Sequence, residues 1–265
     1  MTRPRAIGSR WAGWLGPALA KVRINAVEPR REPGRPPLIA KRRRWFGRWL
    51  IVPGNLYLRW LGSGVLVLPD RAWRDRERAV HRRLHGIECE TDPRGWLLLP
   101  EWPGFVLASY ASDPRNPPGV RILALSAAAR ALRAFHRADT AGTDGTGGHP
   151  GHGDATLRNV IFDPATRQAR WFDFDTVHAP SVPEPARHAD DLRALLYSAL
   201  EVLADLPVSA LYGVVRDAYG DPGPWRHLRD HLARRPLHSD VFHFAQARPT
   251  LARREELERL LRRGE

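Results

Sequence analysis

The chain has 265 residues, room for one large domain or two small lobes around a substantial core. A hydrophobic content of 43% and ten tryptophans exclude a disordered chain, and the single cysteine, Cys89, excludes an intrachain disulfide and is compatible with a reducing cytoplasm. The formal charge of +13 favours anionic partners (nucleotide, phospholipid headgroup, anionic glycolipid), although a general preference for arginine produces the same excess. A nucleic-acid partner would rest on that charge alone, and its binding would collapse with salt.

In chain order, Arg3, Arg5 and Arg10 precede an apolar run over 11–20 that glycines and a proline interrupt. That is a faint signal-peptide shape, too short and broken to predict export, and no apolar run is long enough to span a membrane as a helix. The expected location is therefore cytoplasmic. Residues 20–27 alternate in polarity as a half-buried strand does, residues 29–37 form a turn rich in Pro and Arg, and residues 38–41 read as a second strand. That strand ends in Lys41. Lys21 and Lys41 are the only lysines beside forty arginines, and a compact ammonium does a different job from a guanidinium fork.

Residues 41–50 mix basic side chains with Trp45, Phe46 and Trp49. The mixture fits peripheral contact with an anionic membrane, stacking on single-stranded nucleic acid, or a solvated loop. Residues 52–58 and 64–68 read as further short strands. Asp70 is the predicted N-cap of a helix running to His85 before Gly86. Trp73, Glu77, Val80 and Leu84 share one face of it. A carboxylate on an inward face needs a partner, because a buried unpaired charge is costly. Residues 87–90 and 96–99 flank the turn 92–95 as a hairpin, and 100–104 break the pattern as a hinge does.

A long helix follows over 120–138, then a linker over 140–148. The densest chemistry lies beyond it. His152, Asp154 and Asn159 are spelled H-x-D-x4-N, and Asp173-Phe174-Asp175 follows after an apolar segment that turns at 163–166. Two short strands around that turn would bring Asn159 and Asp173 to one edge. Such an inventory suits phosphoryl transfer, in which one carboxylate aligns a hydroxyl while an amide oxygen and a second carboxylate hold Mg2+. His149, His152 and Asp154 offer a weaker transition-metal reading, with no further ligand at a recognised spacing. Asp190 and Asp191 open an apolar helix, and further helices are expected over 207–219, 224–234 and 249–263.

The segment 152–175 resembles the catalytic loop and metal-binding segment of the protein-kinase-like fold. H-G-D and D-F-D are more similar to its bacterial lipopolysaccharide-core and small-molecule kinase branches than to eukaryotic protein kinases. The resemblance implies an α+β, two-lobed chain, with a β-rich lobe over 1–101 and a mostly helical lobe over 102–265. It implies ATP and Mg2+ as cofactors and a hydroxyl acceptor, a sugar or glycolipid before an aminoglycoside or a protein. It makes Asp154 the catalytic base, Asn159 and Asp173 the metal ligands, and His152 and Asp191 (or Asp190) structural supports of the loop. Lys41 becomes the phosphate lysine, with Lys21 as its alternative, and Glu77 its helical partner. Leu99, Glu101 and Trp102 fall where the hinge would meet adenine. Gly8, Gly13 and Gly16 do not match the Gly-rich spacing that kinases place over the phosphates, which also leaves open a nucleotide-binding module without transfer activity.

Overall fold

A computed structural model describes residues 24–31, 34, 36–60, 62–138, 151–234, 247 and 249–264. The alternative lysine, Lys21, the three glycines, His149 and the 140–148 linker all lie outside the described residues. The architecture is α+β, with small sheets in the N-terminal part and helices dominating the C-terminal part, as the two-lobed kinase-like fold implies.

Strands β1 (Asn25–Arg30), β2 (Leu38–Arg43) and β4 (Leu97–Pro100) form one antiparallel sheet in the order β1-β2-β4, with Lys41 opposite Val27 and Leu97. Between β2 and β4 come helix α1 (Trp45–Trp60), strand β3 (Val65–Val67) and helix α2 (Asp70–His85). The strand expected over 52–58 is thus a helix. Val52, Pro53 and Gly54 argue for a break locally, yet the helix runs through Pro53, and Asn55 ties it to the neighbouring strand. Its side chain donates to the Val67 carbonyl at 2.9 Å and accepts from the Val67 N–H at 2.8 Å, pinning α1 along β3.

Helix α2 begins one residue earlier than read. Pro69 is the N-cap, and Asp70 instead pairs with Arg74 at 2.9 Å and Arg48 at 3.1 Å. It ends at Gly86, in the left-handed conformation (φ 65°) that glycine adopts freely. The expected hairpin survives as a turn: the Asp92 carboxylate accepts the Arg94 and Trp96 N–H groups, but residues 87–90 are not a strand.

The chain crosses out of the first sheet at Gly104 (φ 114°), where an added Cβ would lie 2.3 Å from the Phe162 carbonyl oxygen. Then follow β5 (Phe105–Val106), α3 (Leu107–Ser112), α4 (Pro118–Arg137), a 3-10 turn at Leu157–Asn159, β6 (Val160–Asp163), β7 (Gln168–Trp171) and β8 (Thr176–His178). Strands β5-β6-β7 form the second sheet, and β8 pairs with β3. Helices α5 (Glu184–Val202), α6 (Val208–Tyr219), α7 (Pro222–Arg234) and α8 (Leu251–Arg263) complete the chain.

Two apolar cores result. A small one joins Trp73, Cys89, Leu97 and Leu99; a large one joins α4–α6, β6, β7 and parts of α7 and α8. Helix α2 serves both, contributing Trp73 to the first and Val80 to the second. Phe135 of α4 links the large core to the D-F-D segment, stacking on Phe174 with ring centroids 5.3 Å apart. Removing that fully buried ring (Phe135→Ala) is expected to cost about 3–5 kcal/mol in urea unfolding. A change below about 1 kcal/mol would contradict the packing.

Candidate active site

Period-two geometry on β2 puts Lys41 and Arg43 on one buried face while Arg42, on the other, faces solvent. Lys41 is 5% exposed, and its ammonium lies 2.7 Å from Glu77 Oε1 on α2 and 2.5 Å from Asp173 Oδ1. Lys41 and Glu77 lie 36 positions apart in sequence, a separation taken up mainly by α1, β3 and half of α2. Glu77 Oε1 also accepts the Trp73 indole N–H at 3.1 Å and the Phe174 N–H at 3.3 Å. Burial opposes the Lys41 charge, but the carboxylates of Asp173, Glu77 and Asp175 outweigh it and hold its pKa above the ordinary lysine value. Burial likewise pushes Glu77 upward, and Lys41 and His81 overcome it, so Glu77 stays ionised.

Beside this cluster the loop bearing His152, Asp154 and Asn159 is held from its backbone. The Asp191 carboxylate accepts the His152 N–H at 2.6 Å and the Gly153 N–H at 2.9 Å, and it meets His136 Nε2 at 2.9 Å. Helix α5 starts at Glu184, so Asp190 and Asp191 lie inside it and do not open it as expected; of the two, Asp191 sits under the loop. Asp190 instead meets His178 at 3.0 Å and Arg193 at 2.5 Å. Burial would raise Asp191, yet His178, His136 and His152 around it hold its pKa well below the usual carboxylate range. His152 is fully buried, packs against Phe174 and Trp171, and reaches the Phe172 carbonyl through Nε2 at 3.1 Å. Burial lowers its pKa, which favours the neutral ring. A ring committed in this way braces the loop, and it is poorly placed to ligate a metal.

Asn159 donates through Nδ2 to the Asp154 carbonyl at 2.8 Å and to Asp154 Oδ2 at 2.9 Å. Both amide protons are engaged, so its Oδ1 is the atom left to face a cation. Asp173 stands in the left-handed region (φ 66°), uncommon for a non-glycine residue and frequent where function over-determines the backbone. Its side chain is 32% exposed. No group of three or more His, Cys, Asp or Glu side chains converges on a metal among the described residues. Two hard oxygens suit Mg2+, which takes one or two protein ligands and completes its octahedron with water and phosphate.

The hinge residues are engaged differently from one another. Leu99 is buried in β4 opposite Ile39; the Glu101 carboxylate pairs with Arg31 while its N–H donates to the Pro37 carbonyl. Trp102 stacks on His81 with centroids 5.3 Å apart and meets His85 edge-on. Its ring is thus committed to α2.

No protein-family model and no curated protein matches the sequence. Among solved structures, one similar chain is a Ralstonia eutropha JMP134 protein provisionally described as an aminoglycoside phosphotransferase, 12% identical, covering 96% of each chain at a TM-score of 0.40. So distant a likeness says nothing about what this chain acts on.

Sequence reasoning missed the role of Asp175. Its Oδ2 accepts from Asn25 Nδ2 at 3.0 Å and Arg43 Nη1 at 3.1 Å, so the third residue of D-F-D is bound to the first two strands. The signal was present: Lys41 and Arg43, two apart on one strand, share a face, and two buried cations need two carboxylates. Burial, together with the negative Asp173 nearby, raises Asp175 to about 6 against the pull of Lys41 and Arg43. The folded chain therefore binds more protons here than the unfolded chain between about pH 4 and pH 6. This group's contribution to stability is complete below that window and is lost as pH rises through it. Relative to Asp175→Asn, the wild type should lose on the order of 2–3 kcal/mol of unfolding free energy across it. Parallel pH profiles in urea unfolding would refute the assignment.

Proposed function

We propose that the chain is an ATP-dependent phosphotransferase that moves the γ-phosphate to a hydroxyl. The observation that carries this reading is the Lys41 ammonium clasped between Glu77 and Asp173, with Asp154 and Asn159 bonded to each other on the adjoining loop. In this reading Lys41 neutralises nucleotide phosphate, and Asp173 with Asn159 Oδ1 holds the Mg2+ that spreads the phosphates' charge. Asp154 takes the proton of the acceptor hydroxyl and aligns its oxygen for in-line attack. Asn159 keeps the Asp154 carboxylate turned to that task. Asp191 fixes the loop backbone, and the backbone of 99–102 borders the adenine edge.

For the acceptor, a neutral or anionic sugar or glycolipid, as in lipopolysaccharide-core kinases, fits better than a cationic aminoglycoside. A polycationic acceptor needs open carboxylates beyond the D-F-D segment, and the two candidates there are spent: Asp190 and Asp191 are buried against His178, Arg193 and His136. Buried Arg187 and Arg193 share that helix, and Glu184 at its start is one negative charge against them. A protein hydroxyl is the remaining acceptor of this kind.

Two measurements test the reading. Ligand at a hundred times its dissociation constant adds about 2.7 kcal/mol, so MgATP should raise the unfolding midpoint by several degrees in the wild type and far less in Asp173→Asn. An absent shift in both would remove the nucleotide site. With a glycolipid or sugar acceptor and labelled ATP, Asp154→Asn should lower kcat by about 10^2–10^4-fold while MgATP still protects the protein. Protection without transfer to any hydroxyl in the wild type would leave a nucleotide-binding module in place of an enzyme.

A further inference from the structure

Helix α1 presents an apolar stripe to solvent. Trp45, Trp49, Val52, Leu56 and Trp60 are 76%, 77%, 66%, 61% and 69% exposed. Their spacing of four, three, four and four residues keeps all five within an arc of roughly 80° at about 100° per residue. Gly47, Ile51 and Leu58 on the opposite side are buried, and Asn55 fixes the helix to β3. Water contact at five large side chains on one face is unfavourable and calls for a covering phase.

The surrounding charge says which phase. Between Glu32 and Asp70 the sequence carries seven basic residues and no acidic one. Arg42, Arg44, Arg48 and Arg59 are exposed. On the helical projection Arg48 and Arg59 edge the stripe, where a long aliphatic stem can lie along an apolar boundary and lift its guanidinium to a phosphate. Arg48 also reaches Asp70 at 3.1 Å. Tryptophans at both ends of the stripe are the side chains that settle at the headgroup level. No helix among the described residues is long and apolar enough to cross a membrane, so this one would lie flat.

We propose that α1 docks the chain on an anionic phospholipid surface. The docking stands independently of the chemistry, but it deepens the phosphotransferase reading, on which its meaning for the acceptor rests. Helix α1 is fastened to β3, β3 pairs with β8, and β8 begins at Thr176, directly after Asp175. A lipid-bound α1 would hold the D-F-D segment close to the surface in which a glycolipid hydroxyl is presented.

The test uses the full chain and vesicles of phosphatidylcholine with or without phosphatidylglycerol, followed by co-sedimentation and by quenching of tryptophan emission with brominated acyl chains. Binding and quenching are expected with the anionic vesicles only. Arg44→Gln with Arg59→Gln should weaken binding roughly thirty-fold. Trp45→Ser with Trp49→Ser should weaken it on the order of a hundredfold, while the far-ultraviolet circular dichroism and the MgATP-induced shift stay as in the wild type. Asp173→Asn should bind vesicles normally whatever its effect on nucleotide, which separates failure of the docking from failure of the chemistry. Absent binding, equal binding to both vesicle types, or variants that bind as the wild type does would each overturn the proposal. So would a dimeric mass in light scattering that the tryptophan variant converts to monomer, because a second copy would then cover the face.

Discussion

A buried ammonium is the constraint on which the site depends. Lys41 has almost no contact with water, and a lysine in that position keeps its proton only if carboxylates compensate for lost hydration. Two of them come from distant parts of the chain: Glu77 from α2, and Asp173 from the segment after β7. Satisfying one charge therefore fixes the position of a strand, a helix and a loop together. The same contact suggests how the site would respond to ligand. With no phosphate present, Lys41 serves as the counter-ion of Asp173. A nucleotide bringing Mg2+ would offer Asp173 a stronger cation and Lys41 a stronger anion, so the pair can part without either charge being left bare. Glu77, fully buried and bonded to Trp73 and the Phe174 backbone as well, stays in place throughout and keeps the ammonium aimed.

A second buried carboxylate does the corresponding work in the helical part. Asp191 grips two consecutive backbone N–H groups of the His152–Gly153 turn, and His136, itself bonded to the Tyr219 hydroxyl, holds Asp191 in turn. Arg76 of α2 adds a bond of 2.6 Å to the Gly151 carbonyl from the other side. The loop bearing Asp154 and Asn159 is thus suspended between α2 and α5. Its geometry is set by backbone bonds, and within it the Asn159 amide holds the Asp154 carbonyl and carboxylate.

These supports were unequally legible in the sequence. Glu77 was visible because a carboxylate on the apolar face of a helix demands a partner, and the face follows from the 3.6-residue period of α2. Lys41 stood out as one of two lysines among forty arginines. Asp191 and Asp190 could not be separated, because one turn of helix buries both and only the tertiary partners differ. Helix α1 was misread where β-branched and Pro-Gly residues speak locally for a strand and a break. Its helical period is present in Trp45, Trp49, Val52, Leu56 and Trp60, and Asn55 ties it to a strand twelve residues away. Asp175 went unassigned because its partners Asn25 and Arg43 lie 150 and 132 residues earlier.

Those two long-range ties bear on the second aspartate of D-F-D. An Asp here, where the protein-kinase spelling has Gly, places a titratable group two residues from the proposed metal ligand and anchors it to β1 and β2. Arg43 makes the tie specific, since one nitrogen of its fork holds Asp175 and the other the Leu68 carbonyl ahead of α2. The D-F-D segment is therefore coupled to the lysine strand twice, by Lys41 on Asp173 and by Arg43 on Asp175. A double clasp of this kind restricts the sliding of one part over the other. The connection at 100–104 adds further ties: the Glu101 N–H donates to the Pro37 carbonyl, its carboxylate pairs with Arg31, and Trp102 stacks on His81 of α2. Phe174 of the D-F-D segment stacks on Phe135 of α4, so the clasp is tied to the large core as well.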